Sequence, residues 1–477
     1  MLSNKKLINS LTFGITVSIY AFFLVFYTAI SLFRYYSYQI FYYDFGIFAR
    51  IIWLLAHFRP PIIHHMDLGT INFLGDHFNP SLVIVAPLFW ITSDLRILLI
   101  EQSFMTVMSG ILIFLIARKY KLNYWLSLTI STIYLIYAGT ANPLVTDWHT
   151  ESTAGFFLLL FFYLFVFSNK KLLYAIAAII FLGFKESNSL TLFFLSLFLL
   201  ITCPKKRKEL GVVIAVCIAW FFATTRIIIP FISKKPYLYT PKFTYSLIEN
   251  LKNIFLNEAK QKLVTDSLIS FGFLPLFSIA GLIPVLGELS IRFLPTESKF
   301  GDLTLGGHYN VFLGIFLAIA TIVFLSRFSV LKKFHIVTIT VCIYLLIVSA
   351  YTARKITRAP INLAINKTFW HELTPNKNIK KFISSVPKKG SITAQNNLLP
   401  HFIERNEEVY LLDKYSLNKN SDIIVFDTSP GQNPNNLWAP SYVELDTLIK
   451  HLNADSRYVR IPQPDPNYYL FVKVKKI

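Results

Sequence analysis

Five short clusters of ionisable and aromatic residues interrupt an otherwise apolar chain, and their residue types suggest what each could do. Tyr42-Tyr43-Asp44-Phe45-Gly46-Ile47-Phe48 sets a lone acid in an aromatic stretch. Poor solvation there suits a carboxylate acting as general base; the same residue could cap a helix ending near Ala56. In Gly75-Asp76-His77-Phe78-Asn79-Pro80, Asp76 and His77 could orient a polar substrate or bind a metal. The bland alternative is a turn, which Asn-Pro favours. His64 and His65 are adjacent, point apart on any regular element, and read as solvated loop residues.

Asp147-Trp148-His149-Thr150-Glu151 brings three ionisable groups into five residues. Asp147, His149 and Glu151 are candidate ligands for a divalent metal, and a substrate-binding rim suits them better. His149 and Glu151 share a face only in extended chain and diverge on a helix. Lys185 and Glu186 lie between two apolar runs, with no long loop to carry them into water. Charges so placed are costly and are usually paired or functional. Lys185 could meet a lipid phosphate as a point charge, or pair with Glu186. His308 and Tyr309 end another polar segment, and Arg292 nearby could also reach a phosphate. Tyr and Arg equally serve as interfacial anchors.

The elements that must position these residues are transmembrane helices. The chain has 477 residues, 54% hydrophobic and 15% charged, with mean hydropathy +0.52; soluble domains are nearer a quarter charged. Apolar runs of about twenty residues fit the bilayer core, and in lipid such runs must be helical. Spans are expected at 11–33, 97–117, 125–138, 154–168, 172–184, 188–203, 210–231, one or two within 263–294 (broken by Pro275 and Pro284, with the placement of Lys and Arg favouring two), one following Tyr309, and one at 335–352. That makes about eleven. The piece 81–90 is too short to cross and reads as re-entrant or interfacial, and 232–261 contains a surface-lying helix. Lys5 and Lys6, the Arg118–Lys121 group and the 205–208 cluster place the N-terminus in the cytoplasm. On that topology 34–80 is a long outer loop, and all five clusters fall on the outer side. Polar residues kept for structure alone would not segregate in that way.

Residues 1–353 thus form a multi-pass domain of the plasma membrane, and 354–477 a small extracytoplasmic α/β domain. In the latter, runs at 391–394, 408–412, 422–426 and 469–474 are expected as strands, and 379–385 and 442–452 as helices. It has no phosphate-binding glycine loop and no nucleophile elbow. The net charge of +20 sits in short loop clusters, as positive-inside loops require, which argues against nucleic acid as a partner. Cys203, Cys217 and Cys342 lie in apolar segments without paired spacing and read as small hydrophobes.

The motifs Asp44-Phe45-Gly46-Ile47-Phe48 with Trp53, Gly75-Asp76-His77-Phe78-Asn79-Pro80, Pro87, Trp148-His149 with Glu151, Lys185-Glu186 and His308-Tyr309 resemble the predicted membrane proteins of domain of unknown function 2079. Val386-Pro387, Leu398-Leu399-Pro400-His401 and Arg405 extend the resemblance into the C-terminal domain. That family in turn looks like the GT-C glycosyltransferases. The resemblance implies a sugar donor on a polyprenyl phosphate and Asp44 as base for the acceptor hydroxyl. Lys185 or Arg292 would steady the leaving phosphate, and Asp76, His77, His149, Glu151, Glu186, His308 and Tyr309 would line the substrate pocket. Many GT-C enzymes carry paired acids in this loop, whereas Asp44 is followed by Phe45. Membrane lipids and the lipid-linked sugar are the implied partners; no cofactor is required, though a divalent metal is compatible. The rival class is a transporter or flippase of a lipid-linked or polar solute, which would place polar groups along a path through mid-membrane.

Overall fold

A computed structural model describes residues 2–242, 246–295, 303–333, 335–373, 377–413, 419–437 and 442–474. The expected outer segment ahead of Tyr309 has its residues 298–302 outside that set. Among the described residues, five helices are long and apolar enough to cross a membrane: Ser10–Tyr36, Arg96–Lys119, Thr150–Phe167, Pro204–Ser233 and His335–Ile356. A bent pair, Tyr124–Ile136 with Ala138–Thr146, makes a sixth if it is one span. Against an expected eleven, the other expected crossings fall on shorter helices, among them Lys171–Leu182, Asn188–Thr202 and Asn310–Ser326. The stretch 263–294 divides as Pro275 foretells, with Gly272 and Phe273 both at positive φ between helices Glu258–Ser270 and Ile279–Phe293. Pro284 was expected to break the chain too, and instead sits inside the second helix.

The chain divides into two compact units. One comprises 1–30, 77–81 and 100–366; the other 31–76, 82–99 and 367–477. In the first, helix Asn310–Ser326 is apolar on every side and buried over nearly its whole length, as a helix enclosed by others must be. Asn123, Asn257 and Ser278 start their helices by accepting a backbone N–H two or three residues ahead.

The second unit is built on a five-stranded sheet. A hairpin between residues 62 and 72 supplies β1 (Ile62–His65) and β2 (Gly69–Asn72). The sheet proper has β3 (Ile392–Ala394), β4 (Val409–Leu411), β5 (Ile423–Asp427), β6 (Tyr458–Arg460) and β7 (Tyr468–Lys473), in the order β4-β3-β5-β7-β6. β3 runs parallel to β4 and β5, whereas β7 is antiparallel to β5 and β6. Phe382, from helix Lys377–Ser385, stacks on Tyr468, while Leu445 and Leu452, from helix Tyr442–Ala454, pack with Phe426 and Phe471. Tyr468 and Phe471 are three apart on one strand, so the two helices cover opposite faces.

Residues 34–76 fold within this unit. Arg50 donates Nη1 to the carbonyls of Ile403 (2.7 Å) and Arg405 (2.5 Å), and Nη2 to that of Glu407 (2.8 Å). Arg405 in turn caps the Gly390 and Pro387 carbonyls. His64 is fully buried and its Nε2 lies 2.9 Å from Asp413 Oδ2. The expectation of a solvated His64 is therefore wrong: its pairing with Asp413 holds it in the interior, while His65 stays half-exposed.

The His401 ring packs at a tilt against those of Tyr35 and Tyr38, with centroid distances of 4.5 and 4.7 Å. Burial pushes its pKa from 6.5 down to about 3. A folded-state value below the unfolded one favours the neutral ring. Its contribution is complete above about pH 6.5 and is lost as pH falls from there through about 3. His401→Phe keeps an aromatic ring that cannot protonate, so its melting temperature should fall less than that of the wild type over this interval. Parallel melting curves from pH 7 to pH 4 would show that His401 does not carry the effect.

Candidate functional site

The site in the first unit is assembled where helix Thr150–Phe167 begins. Glu101 accepts Trp148 Nε1 (2.9 Å) on one oxygen and Thr153 Oγ1 (2.7 Å) on the other. Gln102 accepts the His149 N–H (2.6 Å) and donates to the carbonyls of Pro143 and Asp147. This pair fixes the path 147–153: His149 stays extended (φ −132°, ψ 139°) and Glu151 enters the first helical turn. The two side chains thereby meet, although on a continuous helix they would diverge.

Glu151 is buried. Its Oε1 lies 3.3 Å from Lys185 Nζ and 3.7 Å from His308 Nε2, and Thr150 Oγ1 donates to its Oε2. The His149 and His308 rings stack with centroids 4.2 Å apart and planes 17° apart. Lys185 Nζ sits 5.2 Å from the centre of the Tyr309 ring, within cation–π range. Arg292 is anchored beside them, donating Nη1 to Asn310 Oδ1 (3.0 Å). Lys185 and His308 keep 17% and 20% of their side-chain surface open, so a ligand could reach this otherwise buried cluster.

Lys185 and Glu186 form the turn between helices Lys171–Leu182 and Asn188–Thr202. Glu186 points to a second set of donors: His77 Nδ1 (2.9 Å) and Tyr237 OH (2.8 Å) on one oxygen, and Phe78 N–H (3.1 Å) on the other. The His77 ring lies flat on Tyr239, 4.5 Å between centroids. Asn79 and Ser81 tie the same strap to the carbonyls of Phe184, Gly183 and Ile180. Burial alone would raise the Glu186 pKa, but His77 and Lys185 outweigh it and hold it near about 2. Burial pulls the Lys185 ammonium down, and Glu151, Tyr309 and Glu186 more than reverse this. Both groups stay charged at neutral pH.

His149, Glu151 and His308 offer three ligand atoms within 4.8 Å of one another. Asp147, expected in such a set, is not part of it. A metal must lie close to the plane of each imidazole it binds, and two stacked rings cannot both satisfy that without one rotating. The Lys185 ammonium already supplies positive charge to Glu151 Oε1. The arrangement suits a hydrogen-bonded anion better than a metal.

Asp44 and Asp76 belong to the second unit. Asp44 is half-exposed, with φ 65° and ψ −83°. That is close to the rare γ-turn with positive φ, and such conformations cost about 1–3 kcal/mol. Helix Ile47–Ala56 is capped at Gly46 with no side-chain hydrogen bond, so Asp44 is not its cap. Asp76 is buried and ends the turn Phe73–Gly75, its N–H donating to Phe73 O. Glu101, Gln102, Tyr237 and Asn310 were missed in the sequence. A Glu-Gln pair inside an apolar span was the available signal for the first two.

A search of curated proteins finds no match. The fold is similar to that of ArnT from Cupriavidus metallidurans, in a crystal structure bound to undecaprenyl phosphate, with TM-score 0.50 and 14% identity over 97% of this chain and 98% of that one. The model of one family, predicted membrane proteins of domain of unknown function 2079, matches residues 34–464. With that match covering most of its length, the chain belongs to this family.

Proposed function

We propose that the protein is a GT-C-type glycosyltransferase that moves a sugar from a polyprenyl-phosphate donor to an acceptor at the outer face of the membrane. In this reading the N-terminus is cytoplasmic and residues 354–477 lie outside. The observation that carries it is Lys185, a partly exposed side chain whose ammonium is set between Glu151 and Tyr309. The fold's likeness to ArnT, crystallised with undecaprenyl phosphate, supports the same reading.

The acceptor oxygen attacks the anomeric carbon while its proton passes to the Asp44 carboxylate. The bond from that carbon to the phosphate oxygen breaks, and its electron pair leaves with the lipid phosphate. Lys185, with Arg292 beside it, stabilises the charge gathering there. His77, Asp76, His149, Glu151, Glu186, His308 and Tyr309 hold the sugar. A membrane path for a flipped solute would need polar groups through several spans. Here Lys185, Glu186, His77 and His308 cluster at helix ends, which favours transfer.

The purified protein in liposomes, given undecaprenyl-phosphate hexoses and candidate acceptors, should consume donor and release undecaprenyl phosphate. An intact donor pool with labelled lipid crossing the bilayer would replace this reading with the flippase.

A further inference from the structure

Asp44 sits in a strained turn, and something must hold it there. The residue in position to do so is 352 residues away, two past the end of β3. Asn396 is 1% exposed and commits every polar group it has. Its carbonyl accepts the Tyr42 N–H (2.8 Å) and its Oδ1 the Tyr43 N–H (3.0 Å). Its own N–H donates to Asn436 O (3.0 Å) and its Nδ2 to Asn435 O (2.8 Å). The backbone entering Asp44 is thus clamped at two consecutive amides, and the clamp is braced from behind by the 432–436 turn. Gln395 locks the base of the arrangement by accepting the Asp427 N–H (2.6 Å) across to the end of β5.

The place is informative. In the order β4-β3-β5, the chain leaves β3 for one neighbour and returns to the other, so the ends of β3 and β5 flank the point where the topology reverses. In open α/β sheets that crevice, outside the carboxyl ends of the strands, is where ligands bind. Here it receives the chain's own Tyr42–Tyr43 backbone.

We infer that Asn396 is a positioning residue for Asp44, so that the C-terminal sheet acts by presenting the base to its substrate. This rests on the transferase reading above.

The test is a cycle of four full-length proteins, wild type, Asn396→Ala, Asp44→Asn and the double variant, with Asn396→Asp as the conservative control. Turnover is followed with undecaprenyl-phosphate hexoses, and hydrogen exchange is followed over 41–46. Asn396→Ala should lower kcat by about 100-fold, the scale of a misplacement near 1 Å, with donor KM unchanged and faster exchange at 41–46. Asn396→Asp keeps an acceptor for Tyr43 and should recover most of the rate. In the Asp44→Asn background, Asn396→Ala should cost nothing further, because the two act as one unit.

Wild-type turnover by Asn396→Ala overturns the inference while leaving the transferase intact. So does an equal loss in both backgrounds, which would mark a general structural role. Wild-type turnover by Asp44→Asn overturns the base assignment, and the inference with it. Should Asn396→Ala fail to fold, Asn396→Asp decides: slow exchange at 41–46 with near-normal rate supports the clamp, and fast exchange with normal rate overturns it.

Discussion

On the transferase reading, Asp44→Asn should lower sugar transfer by about two to four orders of magnitude, the usual worth of a positioned general base, while binding of undecaprenyl phosphate should stay unchanged. The substitution is chosen for its backbone as much as for its charge. Asp44 holds φ 65°, a region that Asn and Asp enter more readily than other side chains, so Asn adds little strain. What it removes is a carboxylate able to take the acceptor proton. The loss should therefore fall on kcat in steady-state assays, with donor affinity by titration the same. Asp44→Ala would confuse the two effects by adding backbone cost. Equal turnover by the Asn variant would remove Asp44 from the chemistry.

Lys185→Met acts on both affinity and stability. A charge-assisted contact to a phosphate is worth about 1.5–3 kcal/mol, so the variant should bind undecaprenyl phosphate roughly 10- to 100-fold more weakly. Losing one partner of a buried pair also weakens the hold on the other, here Glu151, which keeps His308 and Thr150; the cost is bounded by the ~3–5 kcal/mol of a fully uncompensated charge. The double variant Lys185→Met, Glu151→Gln removes that charge and should recover much of the thermal stability without recovering affinity. Undiminished lipid binding by the single variant would contradict the phosphate role. Recovery of affinity in the double variant would trace the defect to folding.

Local pattern was readable and long-range pairing was not. Strands β3, β4, β5 and β7 appear within a residue or two of where hydrophobic runs bounded by polar residues placed them, because burial on both faces writes itself into consecutive residues. β6 escaped notice, being three residues of which two are exposed. The clustering of Lys185 with Glu151 and His308 has no signal in local sequence; the distances depend on Glu101 and Gln102, two polar residues inside an otherwise apolar span. His64 was misread because its partner Asp413 lies 349 residues away. Asn396 carries no local signal, since its work is to grip backbone amides, and any pair of amides looks alike in a sequence.

The Arg50 clamp has a consequence for how the protein is made. Its acceptors lie 353 to 357 residues downstream, and ribosomes add about 5–20 residues per second. The loop around residues 41–76 therefore waits roughly 20–70 s for the strands it folds against. During that interval the Arg50 guanidinium and the Tyr42 and Tyr43 amides lack their C-terminal acceptors. A nascent chain arrested before residue 400 would present this loop unfolded, which makes the loop a natural point of inspection for membrane chaperones and proteases.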